Sequence, residues 1–372
     1  MRLSFPAQGW KPYPENKQHE YPHIPSRVRR RRMNATFEQL AEPFRQELKR
    51  HCYCMLGSVH EAEDLVQETY LRAWRSFDRF EGRGTFRAWL YQIATHACLN
   101  ALASRKSKQR LLPDQWSPAA TDMPDGVART DVAWLEPYPD AYLESIADES
   151  AGPEALYAGS EVVRLAFVAI IQQLPPRQRA VLLLCDVLGW STQETAELLG
   201  SSPAAVNSAR QRARETLAQR YPDGLPSTTP SSNPAEQELL SRYVRAWEAR
   251  DLDGFVALLK DDVTYTMPPF SQWYAGRAEV HAFFAWAWTH YDGFRLVPTA
   301  ANRQPAFAAY FRARADPLWM AHSIHVLALV GNAISSLTLF MKPAGPQLFG
   351  AFGLPLTFTN MDSRFRGNDG PL

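Results

Sequence analysis

The residues with the clearest chemical use lie between Ser191 and Leu217. After Ser202-Pro203 come Asn207, Ser208, Gln211, Arg212 and Arg214, interleaved with Val206, Ala209, Ala213 and Leu217 at helical steps. That spacing turns the four apolar residues inward and leaves amides, hydroxyls and guanidinium groups outside. Asn and Gln can bond adenine edges in two places, and Arg can bond guanine or grip phosphate, so this face can read a DNA major groove. An ordinary amphipathic helix with a solvated basic face has the same pattern. The preceding residues favour DNA. Ser191-Thr192-Gln193-Glu194 is a capping box that starts a helix, Gly200 ends it, and Ser202 with Pro203 starts the next. Two short helices joined by so tight a turn form a helix-turn-helix, whose second helix enters the groove.

A second constellation runs from Arg75 to Tyr91, where Phe77, Phe80, Phe86, Trp89 and Tyr91 interleave with Arg75, Arg79, Arg83 and Arg87. Aromatic faces stack on unpaired bases at about 1–3 kcal/mol each while arginines follow the phosphates, so this composition suits melted DNA. The competing reading makes most of these rings core, with Phe86 and Trp89 at least partly so. A third set lies near the C-terminus. Tyr265, Trp273, Tyr274 and Trp286 have the character of an apolar pocket lining, and His322 and His325 are the available bases. Three apart on a strand, those histidines are expected on opposite faces, with only one entering a cavity. Asp261 and Asp262 are expected at a helix end, in solvent. No paired carboxylates or Asp-His pair stands out, which favours regulation over catalysis.

Stepping outward to the elements, the chain of 372 residues, 45% hydrophobic and 21% charged, is long enough for two or three folded units. Residues 1–33 are proline-rich with the basic run Arg27 to Arg32 and read as a disordered extension, with Met33 as an alternative start. Helical periodicity covers 34–109, with Leu65, Tyr70 or Leu71, and Trp74 turned inward. Residues 110–159 are rich in Asp, Glu and Pro and read as an acidic linker rather than a domain. Helices resume over 160–222, a second linker spans 223–234, and 235–358 combines helices with alternating strands near 263–267, 294–298, 306–313, 321–330 and 332–340, an α+β pattern. Residues 359–372 look like a disordered tail. The fold class expected is therefore multidomain: two all-α modules, then an α+β domain. No 18-residue apolar stretch or signal-peptide order appears, so no membrane partner and a cytoplasmic location are expected. Four scattered cysteines suit a reducing compartment, and Cys52 and Cys54 beside His51 match no common zinc spacing, so neither metal nor cofactor is expected.

The run HCYCMLGSVHEAEDLVQETYLRAWRSFDRFEGRGTFRAWLYQIATHACLNAL resembles region 2 of RNA polymerase sigma factors of the extracytoplasmic-function class. LPPRQRAVLLLCDVLGWSTQETAELLGSSPAAVNSARQRARETL resembles their region 4, and AEQELLSRYVRAWEARDLDGFVALLKDDVTYTMPP with WYAGR resembles the cone-shaped SnoaL-like domain fused to one subgroup. The resemblance implies core RNA polymerase and promoter DNA as partners. Asp64, Gln67, Glu68 and Arg72 would dock on the β′ clamp helices, and the helix with Val181, Leu184 and Leu188 would pack near the β-flap tip. Arg83, Phe86, Arg87, Trp89, His96, Asn100 and Arg105 would hold the opened −10 element. Ser202, Asn207, Ser208, Gln211, Arg212 and Arg214 would meet the −35 element, and the acidic linker would thread the polymerase cleft. The resemblance implies a non-enzymatic protein whose C-terminal domain acts in cis, with a small-molecule ligand left open. Two departures from the family pattern are His96, where Asn is frequent, and Arg210, where an apolar residue is usual. A stand-alone DNA-binding factor and a cone-domain enzyme with a DNA-binding sensor are the competing readings.

Overall fold

The computed structural model describes residues 36–80, 84–104, 109–123, 126–144, 163–220, 234–312 and 318–359. The expected N-terminal extension, the second linker short of Pro234 and the tail beyond Thr359 lie outside the described residues, as do Arg83 and Arg105. The chain divides into Met1–Pro43, helical at 36–41, and Phe44–Leu372, which contains everything that follows.

Three helices, α1 (Arg45–Leu56), α2 (Val59–Ser76) and α3 (Phe86–Ser104), pack together around Leu48, Cys52, Val66, Leu90, Ala94 and Cys98, all without exposed surface. The break between α1 and α2 is written in Gly57-Ser58. Gly57 takes φ 71°, where a side chain is strained, and its N–H bonds the Tyr53 carbonyl at 2.7 Å. Ser58 Oγ then accepts the Glu61 N–H at 3.2 Å and starts α2. Leu71 points outward, 55% exposed, and Tyr70 takes the half-buried place instead, with the Arg45 guanidinium 4.9 Å over its ring.

The acidic stretch is not an open tether. A single helical turn, α4 (Pro113–Trp116), and another, α5 (Ala141–Glu144), interrupt it, and Leu135 and Tyr138 are fully buried. Leu135 packs so close to Gly57 that a Cβ there would stand 2.9 Å from it. Composition predicts a solvated chain because acidic residues and prolines are spread through it and Arg129 is nearly its only base. A few large apolar side chains among them decide the outcome, since burying each is worth roughly 1.5–3 kcal/mol.

The second helical module holds α6 (Leu165–Ile171), α7 (Pro176–Leu182), a π-helical turn at Leu183–Val187, α8 (Thr192–Leu199) and α9 (Pro203–Arg220). Beyond it, α10 (Pro234–Ala249), α11 (Leu252–Val256) and α12 (Arg277–Ala287) lie on one face of a sheet of strands β1 (Leu259–Thr266), β2 (Trp273–Ala275), β3 (Phe294–Ala301), β4 (Gln304–Phe311), β5 (Leu318–Val330), β6 (Ala333–Phe340) and β7 (Thr357–Thr359). The spatial order is β2-β1-β6-β5-β4-β3, with β7 on β5; β1 and β6 run parallel and the other pairs antiparallel. A further short helix is α13 (Ala344–Leu348). Aromatic rings fill the space between helices and sheet: Trp247, Phe255, Phe284 and Trp288 meet at centroid distances of 4.8–5.8 Å. Asp261 and Asp262 stand on β1 rather than at a helix end; Arg277 approaches Asp261 at 3.1 Å and Lys260 approaches Asp262 at 3.1 Å.

Candidate nucleic-acid interface

The helix-turn-helix forms from the local chemistry that the sequence displays. Ser191 Oγ accepts the Glu194 N–H at 3.1 Å, and Glu194 Oε2 accepts the Ser191 N–H at 2.8 Å. Gly200 closes α8 at φ 58°, and Ser202 Oγ accepts the Ala205 N–H at 3.2 Å to open α9. Val206, Ala209 and Ala213 are buried and Leu217 half-buried, so Asn207, Ser208, Gln211, Arg212 and Arg214 project into solvent with Ser202. They are not equally available. The Asp186 carboxylate, on the π-helical turn, receives Arg214 Nε at 2.9 Å and Nη2 at 2.7 Å, and also Arg210 Nε at 2.6 Å. Arg210, the departure from the apolar pattern, is therefore a structural ion-pair partner. Hydrogen bonding to Asp186 raises the Arg214 pKa further. Gln211 donates to Glu215 at 2.9 Å, and Thr192 donates to Asn207 Oδ1 at 3.2 Å. Ser208 and Arg212 are exposed and have no side-chain partner among the described residues.

On the first module, Phe86 sits among Phe44, Phe77, Phe80 and Trp89 at 5.6–6.1 Å, and both Phe86 and Trp89 are half-buried. Each ring thus serves packing while keeping an accessible edge. Arg87 forms a two-pronged pair with Glu47, Nε at 2.9 Å and Nη2 at 2.8 Å, and lies 5.1 Å over the Tyr91 ring. His96 Nδ1 lies 2.9 Å from the Gln92 carbonyl oxygen, and Asn100 is exposed four residues on. On α2, Asp64, Gln67 and Arg72 are exposed and Glu68 half-buried, Arg72 bonding Glu68 at 2.5 Å. With Leu71 they make one outward face.

The two modules touch. Trp190, next to the capping box, packs on Tyr91 of α3 at 5.7 Å. Buried Arg179 of α7 donates to the carbonyl oxygens of Met55, Ile171 and Leu174, and to both the side-chain and main-chain oxygens of Gln172. Gln172 Nε2 in turn donates to the Cys54 carbonyl at 2.9 Å. Burial lowers the Arg179 pKa to about 10, which leaves it charged at neutral pH.

A third set of contacts ties in the sheet. The β3–β4 turn is Asn302-Arg303, with φ 57° and 56°, a hairpin geometry that Asn accepts readily. Asn302 is fully buried outside its own domain. Its Oδ1 accepts the Tyr138 N–H at 2.8 Å, its Nδ2 donates to Tyr53 Oη at 3.0 Å and to the Val163 carbonyl, and its own N–H bonds the Tyr138 carbonyl at 2.8 Å. One side chain so joins the first module, the acidic stretch and the segment entering the second module. Asp140 extends the junction, accepting the Arg303 N–H at 2.8 Å. Glu136 caps α2, accepting from Ser58 Oγ at 2.8 Å and Val59 N at 2.9 Å, with His60 Nδ1 at 3.1 Å. Burial pushes the Glu136 carboxyl up, but His60 and Arg110 outweigh it and its pKa falls; His60 rises in return through the same bond. Asn302, Arg179 and Glu136 are absent from the residues singled out by sequence. Only the turn propensity of Asn302 carried any signal.

The expected pocket residues do not form one pocket. Tyr265 and Tyr274 stack at 6.1 Å inside the core, and burial raises both hydroxyl pKa values, Tyr274 to about 12. Tyr274 Oη and Trp273 Nε1 donate to the acidic stretch, at the carbonyls of Asp122 (2.9 Å) and Ser117 (2.7 Å). Trp286 is 39% exposed, against His290. The two histidines depart from the expected alternation. Ala309 pairs with Ser323 and Tyr310 with Ala321, so His322 is the extra residue of a β-bulge, which breaks the two-residue period. Both imidazoles are buried and both reach Ser323 Oγ at 2.9 Å; His325 Nδ1 then lies 2.9 Å from Tyr243 Oη, and His322 Nε2 lies 3.1 Å from Tyr291 Oη. Burial lowers the His322 pKa to about 3 and that of His325 well below the usual imidazole value, so both are neutral. The four cysteines are buried thiols, His51 lies 3.0 Å from Thr95 Oγ1, and no cluster of three metal-capable side chains occurs among the described residues.

A helix-turn-helix module, a three-helix module with an aromatic and basic edge, and an α+β cone define a promoter-recognising subunit with a fused accessory domain. Comparison with known proteins agrees. Family models match for Sigma-70 region 2 over residues 40–108, Sigma-70 region 4 over 164–217 and the SnoaL-like domain over 240–329. ECF RNA polymerase sigma factor SigG of Mycobacterium tuberculosis is 42% identical over 322 residues, covering 86% of this chain and 84% of SigG. SigJ of the same organism is 32% identical over 225 residues, 60% of this chain and 62% of SigJ. The crystal structure of SigJ superposes with a TM-score of 0.52 at 23% identity, over 87% of this chain and 99% of that one, and so shares the fold. The chain belongs to the extracytoplasmic-function (ECF) RNA polymerase sigma factors, with a SnoaL-like domain at its C-terminus.

Proposed function

We propose that this sigma factor is held in a closed, non-reading arrangement by its own C-terminal domain and opens to engage core polymerase and promoter DNA. The observation that carries this is the Tyr91–Trp190 contact at 5.7 Å. By their numbering, −35 and −10 elements lie about 25 base pairs apart, about 85 Å of duplex at 3.4 Å per step. Readers whose side chains touch cannot occupy both. The contacts of Asn302, Arg179 and Glu136 must therefore give way before transcription starts.

In the open form, α9 presents Ser202, Asn207, Ser208, Gln211 and Arg212 to the −35 element, and Arg214 joins once it leaves Asp186. Phe86, Arg87, Trp89, His96 and Asn100 face the opened −10 strand, with Arg83 and Arg105 flanking them in sequence. Asp64, Gln67, Glu68 and Arg72 dock on the β′ clamp, and α7 with its π-helical turn meets the β flap. The acidic stretch, released from the cone, enters the polymerase cleft. We read the cone as regulatory and not enzymatic: its histidines are neutral and spend their ring nitrogens on Ser323, Tyr243 and Tyr291 inside a core filled with aromatic rings. The protein works in the cytoplasm, where polymerase is. A chain ending at Arg220 tests this: with sigma-free core polymerase it should start more transcripts than the intact chain, whereas equal output from both removes the regulatory reading.

A further inference from the structure

The face of the sheet turned away from the aromatic core carries small residues, and α6 of the second helical module crosses it without closing on it. Between them lies a cavity of about 540 Å³. The cleft is open to solvent on one side, with Asp114 and Ala166 exposed, and its size is in the range that binds small ligands. Its two walls differ. Leu165, Ala166, Ala169 and Ile170 form an apolar wall along α6, one stripe of that helix. Opposite stand Val326, Ala328, Ser336 and Thr338 of the paired strands β5 and β6, with Gln304 at the edge, a wall of methyl and hydroxyl groups. The α4 turn closes one end with Asp114 and Gln115. Asp114 is the one charged side chain lining the void, and it has no cationic partner among the described residues. Asp114 is exposed, its carboxylate accepts its own and the Gln115 backbone N–H, and partial desolvation still raises its pKa.

We propose that this cavity binds a small amphipathic cation, a flat apolar body carrying one amine, with the body between α6 and the β5–β6 wall and the amine at Asp114. Three separate parts of the chain build the site, so it exists only while cone, acidic stretch and second helical module are docked. A ligand that binds one of two states stabilises that state in proportion to its differential affinity. Its effect on transcription rests on the closed-state reading above; its binding does not.

The probes are two related dyes, cationic Nile blue and neutral Nile red, titrated into the full chain by fluorescence. One saturable site per chain is expected, with Nile blue favoured about tenfold, since a hydrogen bond to a charged group outweighs a neutral one by roughly 1.4 kcal/mol. Asp114→Asn should abolish that preference and leave Nile red unchanged. Ala166→Trp and Ser336→Trp, filling the void from opposite walls, should each weaken both dyes at least tenfold; a thermal melt identifies any variant that fails to fold, and the other then decides. Non-saturable binding, undiminished binding in the folded tryptophan variant, or a preference that survives Asp114→Asn overturns the proposal. Transcription by the intact chain should fall as Nile blue saturates. Saturable, Asp114-dependent binding with unchanged transcription would leave the site standing and remove the regulatory reading instead.

Discussion

Replacing Asn302 with glycine isolates the bonds that hold the modules together. Glycine adopts φ 57° without strain, so the hairpin turn itself is preserved while the amide is lost. The Tyr138 N–H, bonded at 2.8 Å, then loses its acceptor, and the Val163 carbonyl loses a donor, both at a fully buried position. Tyr53 is spared, because its hydroxyl still donates to the Glu136 carbonyl at 2.7 Å. At the low end of about 1 kcal/mol for each orphaned buried group, docking weakens by about 2 kcal/mol, roughly a 30-fold change in the closed-to-open ratio. Hydrogen exchange across residues 126–144 should accelerate by a comparable factor, and transcription with core polymerase should rise. Asn302→Ala should match glycine in both assays but melt earlier, since alanine resists the left-handed turn by about 1–2 kcal/mol. Unchanged exchange in the glycine variant, with unchanged transcription, would refute the claim that this side chain fastens the closed form.

Acidification should destabilise the fold through its buried imidazoles. His51, His322 and His325 have pKa values lowered by burial, the first two to about 3. The unfolded chain takes up these protons near pH 6.5 while the folded chain does not, so stability is full above that pH and falls below it. The loss is about 1.4 kcal/mol per pH unit per histidine. Glu136, with its lowered pKa, adds to this loss only below about pH 4.5, and His60, whose pKa its bond to Glu136 raises, offsets part of it on the way down from neutral pH. Melting temperature should drop steadily from pH 7 to pH 5, and a flat profile would contradict neutral burial. On DNA, Arg212→Ala should weaken binding to all −35 sequences and reduce the salt slope by about 1, whereas Asn207→Ala should change which sequence is preferred. Equal loss on every promoter after the Asn207 change rejects base reading there. Arg214→Ala should also lower thermal stability, because Asp186 loses one of its two arginines.

Much of this protein was legible in order along the chain. Capping at Ser58 and Ser191, the turns at Gly57 and Gly200, and the buried stripe of α9 follow from residue types acting on neighbours a few positions away. Those are short-range effects, and helix position, the outward faces of α2 and α9, and the alternating strands came with them. Long-range pairing was not legible. The bulge at His322 depends on how β4 and β5 register, which no local pattern encodes, and it brings together two imidazoles that simple alternation separates. Arg214 reads in sequence as a DNA contact and Arg210 only as a departure from an apolar pattern, until the fold brings Asp186 between them. Asn302 reads as a turn residue; that its amide is buried among three other segments emerges only when those segments are packed. The sequence by itself determined the modules and the surfaces they present, because caps, periodicity and composition are written within each helix or strand. Whether those surfaces are free or occupied was decided by tertiary structure alone, because burial and ion pairing depend on what other segments bring, from 28 residues away for Arg214 at Asp186 to 249 for Asn302 at Tyr53.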